Sequence, residues 1–230
     1  MSLGAENIQK VGNNMRYQAV LFDFDYTLGD ATDAIVAGFT AGFTGMGLPA
    51  PQREVVRKTV GMVLEDAYTS LSGDGTAEGR SRFRDLFSAV ARPMQTQNTP
   101  LFPGAEALLL ALRDAGVATA VVSTKHAETL ETIFAQHGLD RVVSFIIGGD
   151  QVSKNKPDPE SLNLALARLG LAPHQALYCG DTLIDARAAQ AAGMDFCAVL
   201  NGTTPGADFQ ALPHVHIAPD LMDARRWIGV

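Results

Sequence analysis

Hydrophobic positions along the chain switch between two periods, and the switches mark out its elements. The run Ala19-Val20-Leu21-Phe22 is too short for a helix and ends abruptly at polar residues, so it predicts a strand buried on both faces. From Pro103 onward, amphipathic stretches alternate with β-branched runs. Helical spacing over 105–115 stops at Gly116, and a strand over 117–122 follows directly. The series continues with a helix over 127–137 capped by Gly138, a strand over 142–147, a helix over 159–169 ending at Gly170, and a strand over 176–178. Weaker strands are expected at 196–200 and 215–218, with Trp227 packing the last helix. Continuous apolar strands between helices imply a parallel sheet covered on both sides. Right-handed crossovers then make the core an α/β doubly wound, Rossmann-like fold.

The segment 32–98 follows a different pattern. It holds no convincing strand, and helical spacing recurs over 33–43, 53–60 and 77–92, broken at 45–51 and 72–75. We expect a helical cap domain inserted between two parts of the core, 15–31 and 99–230. Gly29-Asp30 and 98–104 are its connections, with Gly29 and Gly104 free to absorb backbone rotation. Residues 1–14 are polar and aperiodic, a loose extension or cloning remnant outside the fold argument.

Charge narrows the function. A net charge of -7 argues against a nucleic-acid partner, so an anionic substrate has to be met by a local concentration of metal and Lys or Arg. No apolar run is long enough for a membrane span and the start of the chain lacks an apolar signal region, so no membrane partner is expected. Cys179 and Cys197 sit in apolar runs and read as reduced core thiols, which fits the cytoplasm.

The chemistry gathers at strand ends. The first strand delivers Asp23 and Asp25, two residues apart and expected on one side. Such a pair needs a cation, and Mg²⁺ suits oxygen ligands while leaving one carboxylate free as a nucleophile. Ligands of open parallel sheets bind outside the carboxyl ends of the strands, where Ser123-Thr124, the loop Ser153 to Pro159, and Cys179-Gly180-Asp181-Thr182 also fall. The hydroxyl of Ser123 and the amides after it, beginning with Thr124, can hold phosphoryl oxygens. Pro157 keeps Lys156 in the loop, within reach of the site, whereas Lys154 reads as solvated. Asp158 is expected to cap the next helix, with Pro159 its first residue. Asp181 and Asp185, four apart across a helix start, extend the metal site begun by Asp23, with Asp185 supporting from behind. Each piece alone has an ordinary structural explanation as a cap or a favourable charge; the conjunction points to phosphate chemistry. His214 and His216 have strand spacing but no third ligand for zinc.

These residues, in order, resemble the four motifs of the haloacid dehalogenase superfamily: Asp23-x-Asp25-x-Thr27-Leu28, Ser123, Lys156-Pro157, and Gly180-Asp181-x-x-x-Asp185. The likeness spans nearly all of 17–230 and looks most like the phosphoglycolate phosphatase-like branch with its helical cap. It implies that Asp23 is the nucleophile and Asp25 the general acid and base, and that Ser123 and Lys156 bind the phosphoryl group. It further implies that Asp23, the backbone carbonyl of Asp25, and Asp181 ligate Mg²⁺. Three positions depart from the pattern: Tyr26 stands where Gly is usual, Thr124 where Asn is frequent, and Asn155 where Pro often precedes the lysine. Tyr26 is expected to place its ring near the cap. Dehalogenases of the superfamily lack the second acid and phosphonatases need a cap lysine, so Asp25 favours a phosphatase. The expected activity is Mg²⁺-dependent hydrolysis of a small phosphorylated metabolite, phosphoglycolate-like, through an aspartyl-phosphate. A sugar phosphomutase of the same superfamily is the alternative, and a receiver-like switch is more remote because it needs neither a lid nor a leaving-group acid. Among the cap cations Arg53, Arg57, Lys58, Arg80, Arg82, Arg84 and Arg92, most are expected on a solvated face.

Overall fold

A computed structural model describes residues 15–230; the extension expected at 1–14 lies outside the described residues. Strand β1 (Ala19–Phe22) lies inside a six-stranded sheet with β2 (Ala118–Val122), β3 (Phe145–Ile147), β4 (Ala176–Gly180), β5 (Asp195–Val199) and β6 (His216–Ala218). The strands are parallel, in the order β3-β2-β1-β4-β5-β6. Leu21 pairs in register with Ala120 of β2 on one side and Tyr178 of β4 on the other, so the winding reverses at β1. The carboxyl ends of β1, β2 and β4 therefore lie side by side, which is where an open parallel sheet binds its ligands.

The segment after β1 forms α1 (Thr32–Gly45), α2 (Arg53–Arg57), α3 (Leu64–Ser72) and α4 (Ala77–Gln97), with an apolar cluster of its own. Phe39, Phe43, Tyr68 and Phe83 fill it; the rings of Tyr68 and Phe83 stack with centroids 4.5 Å apart. Helix α3 falls where no helix was expected, although Glu65 and Asp66 in its first turn and left-handed Gly73 at its end were legible signals. Helix α2 stops at Arg57 because Thr59 turns back, its hydroxyl donating to Val56 O, and Gly61 takes φ 93°. Helix α4 runs past residue 92: it carries Pro93 internally, and the next turn is held by Thr96 Oγ1 to Arg92 O and Asn98 N to Met94 O.

The insertion leaves and rejoins the core through a narrow neck. Asp30 N donates to Pro100 O at 2.9 Å and Phe102 N to Leu28 O at 2.8 Å, with Gly29 bridging Leu101 antiparallel. Gly29 packs tightly within this neck. A Cβ there would lie 2.5 Å from the ring of buried Phe24, so the glycine is a close-approach point; Gly104, at φ 89°, is the one in the left-handed region.

In the core, side chains of β1 alternate between two apolar clusters. Val20 and Phe22 join α5 (Ala105–Asp114), α6 (Ala127–Gln136) and α9 (Leu221–Ile228), while Ala19 and Leu21 join α7 (Glu160–Leu169) and α8 (Leu183–Ala192). Burial on both faces is why this strand reads as an unbroken apolar run, each large side chain contributing about 1.5–3 kcal/mol. Two boundaries differ from expectation. Val142 and Val143 belong to a turn onto Leu139 O rather than to β3, buried because they pack against α6 and its neighbours. Pro159 is the N-cap of α7 rather than its first residue, with Asp158 Oδ1 accepting from Glu160 N.

Candidate active site

Strand β1 ends at Phe22, one residue before the first acid. Asp23 N still donates to Cys179 O at 2.9 Å, so Asp23 continues the line of the strand. The chain then folds sharply: the amides of Thr27, Leu28 and Gly29 all donate to Phe24 O, and Tyr26 takes φ 59°. A non-glycine residue there is costly, and here the Tyr26 hydroxyl accepts from Thr32 Oγ1 at 2.8 Å and from Arg57 Nε at 3.3 Å. The ring thus meets α2, as expected of an aromatic at this position. Asp23 and Asp25 each have their own lysine, Lys156 and Lys125, and the charge of Asp25 still acts on Asp23.

Lys156 is the partner of Asp23. Its Nζ, almost wholly buried, donates to Asp23 Oδ1 at 2.9 Å, Asp185 Oδ1 at 2.6 Å and the Tyr178 hydroxyl at 2.8 Å, which uses all three of its donors. Burial alone pushes the ammonium pKa down, but Asp185 and Asp23 outweigh it and hold the pKa above its ordinary value. Burial pushes Asp23 up to about 6 against the pull of Lys156, and drives Asp181 well above the carboxylate range, with Asp185 and Asp23 adding to the effect. Tyr178 is likewise raised by burial and by the same carboxylates. Lys154 is exposed, 3.8 Å from Asp158.

Asp23, Asp181 and Asp185 present oxygens within 4.8 Å of one another, with one ammonium between them. Asp181 Oδ1 accepts weakly from Thr27 Oγ1 at 3.3 Å, while its Oδ2 is buried with no hydrogen-bond partner. An unpartnered buried carboxylate oxygen in a cluster short of positive charge fits a divalent cation, and an oxygen-only donor set selects a hard one such as Mg²⁺. Asp185 is committed elsewhere. Its Oδ2 accepts from Thr182 N and Oγ1 at the start of α8, and its Oδ1 from Lys156 and Tyr178. It therefore anchors the lysine. The carboxylate of Asp25 stands apart from the cluster.

Ser123 follows β2 and is buried; its amide donates to Ile147 O at 3.0 Å, and its hydroxyl accepts weakly from Lys125 N at 3.4 Å. Lys125 lies with Nζ 3.1 Å from Asp25 Oδ2, both side chains nearly buried. Lys125 and Tyr178 were missed by sequence reasoning. A tyrosine inside a buried strand needs a partner for its hydroxyl, and a lysine directly after Ser123-Thr124 lies on the same strand-end loop; both were available signals.

Between these residues and the inserted helices lies a cavity of about 530 Å³. Asp25, Thr124, Lys125 and Asn155 line it from the sheet side, and Ile35, Phe39, Met62, Leu64 and Phe87 from the helical side. Of the inserted cations, Arg84 and Arg92 reach its lining, whereas Arg53, Arg57 and Arg80 pair with Asp33, Glu54 and Asp66. His216 pairs with Asp223. Among the described residues no helix is long and apolar enough to cross a membrane.

A doubly wound sheet with a carboxylate–lysine cluster at its switch point, under an inserted helical layer, defines a hydrolase-like class. Residues 20–199 match the family model described as haloacid dehalogenase-like hydrolase, and the chain belongs to that family. It is similar to a phosphoglycolate phosphatase of Xanthomonas campestris pv. campestris (strain 8004), 34% identical over 93% of this chain and 99% of that one. It is also similar to an N-acetylmuramic acid 6-phosphate phosphatase of Pseudomonas putida, 33% identical over 82% and 85%. Among solved structures, a haloacid dehalogenase-like hydrolase from Bacteroides fragilis superposes with a TM-score of 0.87 at 36% identity, covering 89% of this chain and 98% of that one.

Proposed function

We propose that the chain is a Mg²⁺-dependent phosphatase for small phosphate monoesters of the phosphoglycolate kind, working through an aspartyl-phosphate on Asp23. One observation carries this reading: the two acids after β1 are separated, Asp23 beside Lys156 and Asp185, Asp25 beside Lys125 on the cavity wall. Two carboxylates in different surroundings can take different roles. The named activities of the similar proteins agree with it.

Asp23 attacks phosphorus as the ester oxygen departs with its bonding electrons and takes the proton of Asp25. The alcohol leaves. Asp25, now ionised, accepts a proton from water as that water attacks phosphorus, and phosphate and free Asp23 result. Lys156, exchanging one of its three present acceptors for a phosphoryl oxygen, and Ser123 hold the phosphoryl group, with the Thr124 amide beside them; positioning and charge neutralisation supply most of the rate in such transfers. Asp23, Asp181 and the backbone carbonyl of Asp25 would hold the ion, which when bound neutralises phosphoryl charge. Asp185 keeps Lys156 in place. Helices α1 to α4 act as a cap domain on a core made of 15–31 and 99–230, excluding bulk water on closure. The buried thiols of Cys179 and Cys197 support a reducing, cytoplasmic setting.

The test is a phosphate-release screen over phosphoglycolate, sugar phosphates, nucleotides and pyrophosphate, with and without Mg²⁺. Release from small monoesters without a bisphosphate primer supports the phosphatase and excludes the phosphomutase. A stable phosphoprotein with no turnover would point to a switch.

A further inference from the structure

The reaction described above gives Tyr178 no task, yet its hydroxyl lies at the centre of the buried cluster. The side chain belongs to β4 and is fully buried. Its hydroxyl is 2.8 Å from Lys156 Nζ, 3.0 Å from Asp185 Oδ1 and 3.2 Å from Val122 O, the carbonyl directly before Ser123. An ammonium has no acceptor, so the first contact is Lys156 donating to the phenol oxygen. The proton of Tyr178 is then left for Asp185 or Val122 O. One hydroxyl thus joins the end of β2, the loop that carries Lys156 and the first turn of α8.

The three acceptors of Lys156 are not equal. Asp23 and Asp185 add ionic attraction to the hydrogen bond, whereas the phenol is neutral. Asp185 is also fixed by Thr182 N and Oγ1. Turning the ammonium away from either carboxylate would leave a buried anion short of its counter-charge. Turning it away from Tyr178 frees only a phenol oxygen whose proton stays hydrogen-bonded.

Resting on the phosphatase reading, we propose that Tyr178 is a positioning residue acting through Lys156: in the empty site its phenol oxygen holds the N–H that Lys156 turns onto a phosphoryl oxygen, and it yields that N–H when the phosphoryl group binds. Asp23 and Asp185 keep the ammonium in place during the exchange. Tyr178 therefore competes with phosphate for one donor.

The full chain in Mg²⁺ tests this with inorganic phosphate as the probe. Tyr178→Phe keeps the ring and removes the acceptor, so one buried N–H has no partner until phosphate supplies it. Phosphate should then inhibit about fivefold or more tightly, the lower end of what an unpaired buried donor costs. KM for a hydrolysed monoester should fall with it while kcat does not rise, because the gain is the same in the bound substrate and in the transition state. A merely structural tyrosine predicts the opposite sign, since a loosened lysine binds phosphate more weakly; an inhibition constant that is unchanged or raised overturns the proposal. In a Lys156→Met background the same substitution should change phosphate affinity less than about twofold, and an equal gain there also overturns it. Should Tyr178→Phe not fold, a crystal structure of the unmodified chain with Mg²⁺ and phosphate decides: Lys156 Nζ should have left the phenol oxygen, beyond about 3.5 Å, and kept both carboxylates. Retention of Tyr178 with loss of a carboxylate contact overturns it. A chain that hydrolyses no monoester gives a separate result, which sinks the phosphatase reading itself.

Discussion

Lys156 Nζ and Asp23 Oδ1 lie 2.9 Å apart although 133 residues separate them in the chain. The contact joins the loop after β3 to the end of β1, and Asp185 and Tyr178 complete it. Lys156→Ala should cut kcat/KM by about a hundredfold or more and also lower stability, because losing one partner of a buried ionic network costs about 3–5 kcal/mol. Lys154→Ala, on an exposed pair, should change activity less than about threefold. Steady-state kinetics and thermal melts of both variants check it; equal effects would mean that Lys156 does not touch the reacting group.

Asp23→Asn nearly preserves shape but cannot supply an anionic nucleophile. Turnover should fall below about a hundredth of the original, a larger loss than one weakened proton transfer produces, while the circular dichroism spectrum stays the same.

Metal and pH are linked through the same carboxylate. In the metal-free protein Asp23 is held up to about 6 by burial, above the ordinary 3.8 it takes when unfolded. Over that window the folded state keeps a proton that the unfolded state has released, so metal-free stability should fall as pH rises from about 4 to 6. Mg²⁺ should then raise the melting temperature more at pH 7.5 than at pH 5, where protons compete for the ligand. Asp181→Ala should raise the Mg²⁺ concentration needed for activity, and chelation should abolish it. A gain from Mg²⁺ that is independent of pH would refute the assignment of Asp23 as a ligand.

At Gly29 a methyl group has nowhere to go against the Phe24 ring, which is itself fully buried. Gly29→Ala should cost about 1–3 kcal/mol in chemical denaturation, as overpacking does, and Phe24→Leu in the same chain should recover part of it.

The cavity under α1 to α4 should admit small esters and reject macromolecular ones, which hold the helices away and leave water in the site. Catalytic efficiency should therefore rank phosphoglycolate and a hexose phosphate above a phosphopeptide. A phosphopeptide performing best would show that these helices do not enclose the leaving group.

Much of this was legible in the sequence because long-range order follows from local rules. Buried parallel strands announce themselves as apolar runs, and their ends announce polar residues, so Asp23, Ser123, Lys156 and Asp181 could be assembled before their distances were known. What stayed hidden depended on packing across the fold. The turn at Tyr26, which follows the two acids, uses a residue whose left-handed backbone no periodicity reveals. Lys125 carries no signal of its own in the sequence beyond its place after Ser123-Thr124, and the supporting place expected of Asp185 gained its partners, Thr182 and Lys156, only from the fold. Helix α3 was lost because it is short and follows an irregular stretch, where tertiary burial of Ala67 and Tyr68 decides more than spacing does.

The neck formed by Asp30 with Pro100 and Phe102 with Leu28 makes the inserted helices an interchangeable module. Their two ends are already fastened side by side, so the core bears little loop-closure entropy for whatever lies between them, and that cost grows only slowly with length. The sheet and its carboxylates can thus be inherited unchanged while the segment between residues 30 and 100 is lengthened, shortened or exchanged, and substrate range can diverge without disturbing the chemistry beneath it.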